Sequence, residues 1–229
     1  MNSLGPGAQP TVPASTESRR NARVILNRLK KRYPDIGTAL DASGPWQLLV
    51  ATVLSAQTTD SNVNRVTPEL FARWPGPEDL AEADQEEVEK VVFSTGFYRQ
   101  KAKSILTMAV DVIEKFDGKV PRDLDNLMTL RGVGRKTASV VLAEMWGIPA
   151  IAVDTHVKRV TRRLGMTSEA DPLKIERQLM ELYPMKEWVG ISMRFIQFGR
   201  DVCDARRPRC PQCSLADRCA YLAKTSPPA

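Results

Sequence analysis

The chain has 229 residues, of which 42% are hydrophobic and 26% charged, as in a soluble globular protein with one large domain or two small ones. These values exclude collagen-like repeats and disorder throughout the chain, and no apolar run reaches the roughly 18 residues of a membrane-spanning helix. Residues 1–130 contain 16 basic and 17 acidic side chains, whereas residues 131–229 contain 17 and 10. We therefore expect any polyanionic partner to bind the second half.

The two ends of the chain differ in composition from the rest. Residues 1–16 are rich in Gly, Pro, Ser and Thr and lack the apolar core of a secretory signal. We expect disordered tails at residues 1–16 and 223–229. We also expect a cytoplasmic protein, associated with the nucleoid if its source is bacterial.

The segment between the tails predicts helices, because almost no stretch alternates apolar and polar residues as a half-buried strand does. The first helical pattern runs from Glu17 to Tyr33, and the apolar run from Leu48 to Leu54 predicts a buried helix. The pattern from Arg99 to Phe116 forms one apolar stripe, composed of Ile105, Ala109, Val112, Ile113 and Phe116.

Residues typical of helix ends recur along the chain. Asp84, and Asp171 followed by Pro172, are typical of helix starts. Gly118, Gly147 and Gly165 are typical of helix ends. We expect about ten helices joined by short loops.

A glycine-containing turn joins two of these helices at Leu130 to Thr137. Gly132 and Gly134 permit a tight turn with left-handed backbone angles and the close approach of another backbone. A helix that starts near Arg135 points unpaired N–H groups outward, which suits a phosphate. The alternative is a simple helix C-cap without a function.

Eighteen residues after Lys136, an apolar run ends in Asp154, just before a basic helical segment. Asp154 is either a helix N-cap or a functional carboxylate, and the two roles can coexist. His156 is the only histidine in the chain. One histidine cannot form a typical zinc site, so we interpret it as a packing or hydrogen-bonding residue.

All four cysteines lie within 17 residues, with the spacing C-x6-C-x2-C-x5-C, at Cys203, Cys210, Cys213 and Cys219. Two disulfides are one interpretation, but nothing in the chain indicates secretion. Thiolates that converge from a short loop usually bind zinc or an iron–sulfur cluster. The long outer spacings favour the cluster slightly.

These segments together resemble the endonuclease III family of DNA glycosylases, in the helix-hairpin-helix superfamily. The resemblance rests on LRGVGRKTA, VDTHVKRV and the cysteine loop, with LLVATVLSAQTTD upstream and GFYRQKA between them. It implies an all-α, two-domain fold with a C-terminal iron–sulfur cluster loop. The implied domains are a six-helix domain with the hairpin at 38–148 and a discontinuous cluster domain at 17–37 and 149–222.

The resemblance also implies an activity. Family members are bifunctional: they remove oxidised or saturated pyrimidines from duplex DNA and then cut 3′ to the abasic site by β-elimination. By the motif match, Lys136 is the nucleophile that forms a Schiff base and Asp154 is the essential carboxylate. The four cysteines would bind a [4Fe-4S] cluster. The expected partner is double-stranded DNA with a damaged pyrimidine or an abasic site; we expect a monomer and no membrane.

Further residues follow from the same match. Gln57 would fill the space left by a flipped nucleotide, and Phe97 would wedge into the opposite stack, where the family usually has leucine. The hairpin residues Gly132, Gly134 and Arg135 would contact DNA. Arg131 stands where the family usually has proline, which predicts tighter and more salt-sensitive binding.

Two residues are candidates for the base pocket. They are Ser55 and His156. For Ser55 and Gln57, the alternative interpretation is that both are polar residues at a helix end.

Three other functions compete with this prediction. The adenine-removing relative lacks a lysine at the hairpin, so Lys136 argues against it. A thymine-mismatch or uracil glycosylase of the same superfamily differs in its pocket. A non-catalytic iron–sulfur DNA-binding protein would use Lys136 only to contact phosphate.

Overall fold

The computed structural model describes residues 14–225. Most of the predicted N-terminal tail, and the last four residues of the predicted C-terminal one, therefore lie outside the described residues. Within residues 14–225 every regular element is a helix, so the predicted all-α class is confirmed. None of the helices in this range combines the length and apolar character that crossing a bilayer requires.

The described part of the chain contains twelve α-helices. They are α1 Thr16–Arg32, α2 Pro45–Leu54, α3 Asp60–Arg73, α4 Pro77–Ala81, α5 Gln85–Val92, α6 Tyr98–Phe116, α7 Leu124–Thr129, α8 Arg135–Trp146, α9 Thr155–Arg163, α10 Pro172–Leu182, α11 Ile191–Asp201 and α12 Ala220–Thr225. Four 3₁₀ turns accompany them, at Phe93–Thr95, Met185–Glu187, Cys210–Gln212 and Ala216–Arg218.

The number of helices exceeds the predicted ten because several are short. Helices α4, α7 and α12 have only five or six residues, too few for an apolar periodicity to be visible in the sequence. Helix α12 continues to Thr225, three residues into the range 223–229 that was predicted as a tail.

The helix ends follow their local chemistry. Asp84 accepts hydrogen bonds from the backbone N–H groups of Glu86 and Glu87, which would otherwise lack partners at the start of α5. Asp171 caps α10 in the same way, with Pro172 at the first helical position. Gly147 ends α8 with a φ of 61°, a left-handed conformation that glycine adopts without strain.

The chain divides into two compact units. The central unit is Gly37–Ala152, and the terminal unit combines Met1–Ile36 with Val153–Ala229. In the central unit, α2 is buried along its whole run from Leu48 to Leu54, as predicted. It packs against α3, α6 and α8 and forms the centre of the apolar core.

Helix α6 buries a face that differs from the predicted stripe. Ile105, Ala109 and Val112 are fully buried, whereas Ile113 and Phe116 are only partly covered. The buried face also includes two polar residues, Lys101 and Ser104. Their positions matter for the site described below.

In the terminal unit, α9 packs closely on α11. A Cβ atom at Gly199 of α11 would lie 3.0 Å from both His156 Nδ1 and Arg159 Nη2. Glycine is therefore the residue that this contact accommodates. The cysteine-containing loop is attached to α1 by Arg28, which donates to the Ser214 carbonyl at 2.8 Å and pairs with Asp217.

Candidate functional site

The predicted hairpin lies between the end of α7 and the start of α8. Gly132 has a φ of 81°, and a Cβ atom there would lie 3.0 Å from the Cβ atom of Ser104 on α6. The residue at position 132 must therefore lack a bulky side chain and must also adopt a left-handed backbone conformation, and glycine meets both requirements. Gly134 has an ordinary φ of −90°, so the left-handed angle that the sequence permits at both glycines is adopted by Gly132 alone. Apart from Gly134 itself and its two chain neighbours, no described residue has an atom within 4 Å of a Cβ atom built on Gly134, which leaves space for an approaching backbone.

Lys136 lies at the second position of α8, directly after this open turn. Its side chain is exposed, as is that of Arg131. The first N–H groups of an α-helix lack intrahelical partners and form the positive end of its dipole. The turn therefore combines backbone donors, a cationic side chain at Arg131 and an exposed lysine side chain at Lys136, which suits a phosphate or an electrophilic sugar carbon.

Arg131 offers a test of the expected salt sensitivity. Its backbone N–H donates to Asp111 Oδ2 at 3.3 Å, and a proline at this position would remove that donor as well as the charge. Arg131→Ala removes the charge alone. We expect it to weaken duplex binding for all sequences and to reduce the slope of log K against log salt by about 1. Fluorescence anisotropy over a salt series measures this slope, and an unchanged slope would contradict a phosphate contact.

Gln57 and Phe97 share an unusual backbone conformation. They have φ values of 56° and 49°, and among residues 14–225 the only other non-glycine residue with a positive φ is Asp117. The side chain of Gln57 is exposed, and that of Phe97 is 66% exposed. A left-handed angle at such residues costs of the order of 1–3 kcal/mol and is frequent at functional sites. Both residues belong to the central unit and are presented to solvent at some cost in backbone energy.

Ser55 is the C-cap of α2, and its hydroxyl donates to the Thr52 carbonyl at 2.8 Å. The helix-end interpretation therefore accounts for this side chain. Its role in a base pocket stays a prediction.

Asp154 is the N-cap of α9, and its Oδ1 accepts the backbone N–H of Val157 at 2.8 Å. Within residues 14–225, Oδ2 has no hydrogen bond, and the side chain is half-buried. The capping interpretation is confirmed, and one carboxylate oxygen stays available for a second role.

His156 lies against α11, and its Nδ1 atom is 3.1 Å from Arg159 Nη2. Burial lowers the pKa of this imidazole, and Arg159 and Arg200 lower the pKa further against the opposing effect of Asp154. The ring is therefore neutral near pH 7. These contacts support the interpretation of His156 as a packing and hydrogen-bonding residue, and its pocket role stays a prediction.

The four cysteines are free thiols on one loop of the terminal unit, so the disulfide interpretation is not supported. Burial raises the pKa of the Cys213 thiol, and the charges of the other three cysteines raise it further. Cys213 therefore lies within electrostatic range of the other three cysteines. Within residues 14–225, no trio of His, Cys, Asp or Glu side chains is arranged as the ligands of one metal ion.

Two N–H groups point at the sulfur atoms. The backbone N–H of Leu215 donates to Cys213 Sγ, and the Arg163 guanidinium donates to Cys203 Sγ, both at 3.4 Å. Arg163 also donates to the carbonyls of Asp204 and Ala205 at 2.6 and 2.9 Å. Four cysteine thiols on one short loop, two of which accept N–H hydrogen bonds, are a donor set suited to an iron–sulfur cluster.

The predicted residues thus fall into two groups. Gln57, Phe97 and the hairpin residues 131–136 belong to the central unit, whereas Asp154, His156 and the cysteines belong to the terminal unit. Two contributors were not found from the sequence. Arg163 orders the cysteine loop, and Lys101 is buried beneath the segments that contain Gln57 and Phe97.

Comparison with known proteins agrees with this geometry. Residues 50–185 match the family described as "HhH-GPD superfamily base excision DNA repair protein". An endonuclease III from Synechocystis sp. is 51% identical over 202 residues, which cover 88% of this chain and 92% of that protein. The Bacillus subtilis endonuclease III is 45% identical over 195 residues, covering 85% and 89%.

Solved structures show the same relationship. A non-covalent endonuclease III–DNA complex superposes with a TM-score of 0.87 at 44% identity, covering 90% of this chain and 97% of that one. A thermostable thymine-DNA glycosylase shares the fold, with a TM-score of 0.82 at 22% identity, covering 90% and 99%. The chain therefore belongs to the endonuclease III family of the HhH-GPD superfamily.

Proposed function

We propose that this protein is a bifunctional DNA glycosylase and AP lyase, which removes oxidised or saturated pyrimidines from duplex DNA in base excision repair. The observation that carries the proposal is the exposed side chain of Lys136 at the start of α8, beside the open backbone of Gly134. A structure 44% identical to this chain is described as a trapped endonuclease III–DNA covalent intermediate.

In the proposed reaction, the neutral amine of Lys136 attacks C1′ of the damaged nucleoside while the bond from C1′ to the base breaks. The base leaves with the bonding electrons and takes up a proton. The amine nitrogen then gives up one proton, and the bond from C1′ to the ring oxygen O4′ breaks as O4′ takes up a proton, which leaves a protonated Schiff base. The Schiff base acidifies the C2′ proton, whose removal expels the 3′ phosphate. Hydrolysis finally releases Lys136.

Asp154 has a distinct role in this scheme. As the glycosidic bond breaks, positive charge develops on the sugar, and a carboxylate stabilises that charge. Oδ1 is used by the N-cap of α9, whereas Oδ2 has no hydrogen bond within residues 14–225. The same side chain can therefore order α9 and present a negative oxygen.

Gln57 and Phe97 would enter the duplex when the damaged base leaves the stack. Unstacking costs a few kcal/mol, and inserted side chains offset part of this cost. The exposure of Phe97 and its position at a tight turn suit a wedge. Because phenylalanine is larger than leucine, we expect an altered preference for the opposite base.

The cysteine loop would bind a [4Fe-4S] cluster through Cys203, Cys210, Cys213 and Cys219. The cluster would stabilise the loop and would take no part in bond cleavage. The charged side chains Arg206, Arg207 and Arg209 on the same loop would then face phosphates from a rigid support. We further propose a monomer in the cytoplasm, associated with the nucleoid if its source is bacterial.

Cys213→Ser tests the cluster independently of activity. We expect purified wild-type protein to contain about four iron atoms per chain, and the variant to lose most of the iron and the visible absorbance. Ser214→Ala, an exposed neighbour in the same loop, should keep both. Zinc in place of iron in the wild-type protein would contradict the cluster assignment.

The activity is tested by borohydride trapping of the wild-type protein on a duplex with one thymine glycol. An undamaged duplex serves as the control. We expect a covalent adduct and a strand break only with the lesion. Base release without an adduct would indicate a monofunctional enzyme, and no adduct with an abasic-site duplex would contradict lyase chemistry. Release from a T·G mismatch alone would favour the mismatch glycosylase.

A further inference from the structure

Lys101, on the first turn of α6, is buried, with only 5% of its surface exposed. Its ammonium donates to two backbone carbonyls, Leu54 at 2.8 Å and Thr95 at 2.7 Å. Burial lowers the pKa of this amine. Burying a charge is costly unless hydrogen bonds compensate for it. The two carbonyl bonds supply that compensation for the Lys101 ammonium.

The two carbonyls belong to the two segments that present the exposed left-handed residues. Leu54 is the last residue of α2 and directly precedes the Gln57 loop, which we define as residues 55–59. Thr95 ends the 3₁₀ turn of the Phe97 turn, residues 93–97. The Lys101 side chain therefore connects the Gln57 loop and the Phe97 turn on their buried side. The Leu54 carbonyl lies at the negative end of the α2 dipole, where a cation is favoured.

A second connection joins the same segments nearer to solvent. Asn62 on α3 donates from Nδ2 to Thr58 Oγ1 at 3.0 Å and to the Ser94 carbonyl at 2.8 Å. Lys101 and Asn62 thus connect the Gln57 loop to the Phe97 turn at two levels, one buried and one half-exposed.

We propose that Lys101 is a positioning residue for base extrusion, which fixes the spacing between Gln57 and Phe97 so that both enter the duplex at the same base pair. The inference rests on the proposed function, because it assumes that these two side chains insert. The left-handed angles at Gln57 and Phe97 cost energy, and fixed neighbours are needed to maintain them. Lys101 supplies such a neighbour to both segments at once.

The inference predicts a selective defect. Extruding an intact damaged pyrimidine requires both inserted side chains, whereas an abasic site has no base to unstack. Lys101→Met keeps the length of the side chain and removes its donors. We expect single-turnover excision of thymine glycol to fall by about 10- to 100-fold, and strand cleavage at an abasic site to change by less than about threefold. An adjacent 2-aminopurine should show a smaller fluorescence rise, which reports less unstacking.

Two further variants separate positioning from stability. Leu80→Ala creates a cavity at a fully buried residue of α4, and a merely destabilised protein should lose both activities in parallel. Lys101→Arg keeps a cation with several donors and should restore part of the excision rate. All variants are compared at a temperature at which their melting curves show folded protein.

The outcomes decide the inference. If Lys101→Met loses both activities equally, as Leu80→Ala does, Lys101 is only structural and the inference is wrong. If Lys101→Met does not fold, Asn62→Ala decides alone: a selective loss of excision supports the inference, and an unchanged ratio of the two activities overturns it. A wild-type protein that cleaves neither substrate would overturn the proposed function, and this inference with it.

Discussion

Lys136→Gln is expected to lower strand cleavage at a damaged pyrimidine by at least about 10³-fold, because no other group replaces the amine that forms the Schiff base. The borohydride adduct should disappear in the same variant. Glutamine can still donate a hydrogen bond to a phosphate, so DNA affinity should fall far less than cleavage. The rate is measured under single-turnover conditions on a thymine glycol duplex.

A matched control is Lys119→Gln, which removes an exposed lysine outside the hairpin of the same unit. It should keep the wild-type rate and adduct. If Lys136→Gln instead retained full strand cleavage and lost only affinity, Lys136 would be a phosphate contact. The non-catalytic alternative would then be favoured.

Replacing Asp154 should separate its two roles. Asparagine is about as good an N-cap as aspartate, so Asp154→Asn should keep the bond to the Val157 N–H and most of the stability of α9. Asp154→Ala should lose about 1 kcal/mol of folding free energy. Both variants lack the negative charge, and we expect both to excise the damaged base about 10²- to 10³-fold more slowly.

Thermal or urea unfolding measures the first effect, and single-turnover excision measures the second. An Asp154→Asn variant with the wild-type excision rate would show that the carboxylate acts only as a cap. A large loss of stability in that variant would instead contradict the equivalence of the two caps.

Local sequence features predicted much of this fold. Asp84, Asp154 and Asp171 cap helices where the sequence places them, because an N-cap requires only a short polar side chain and the next three N–H groups. The two hairpin glycines permit left-handed angles, and Gly132 adopts one. Gly134 does not, because a residue before a helix can be an extended cap.

Lys101 could not be identified in the same way. It lies four residues before Ile105 and so continues the buried face of α6. In a helical sequence pattern, however, an isolated lysine is usually assigned to the solvent-exposed face. Its partners are carbonyls, which every residue carries, and the Leu54 carbonyl is 47 residues away along the chain. No pattern of side chains reports such a contact. The only indication was the place of Lys101 on a mostly apolar face of α6.

Ser104, a buried residue of α6, sets the distance between this helix and the hairpin, because it contacts Gly132. The Cβ atom of Ser104 limits how closely the turn approaches α6, so a bulkier side chain at residue 104 would lift the whole turn and Lys136 with it. Such a change would alter none of the residues that are proposed to contact DNA. The position of Lys136, the proposed nucleophile, can therefore be adjusted by a substitution in the protein interior.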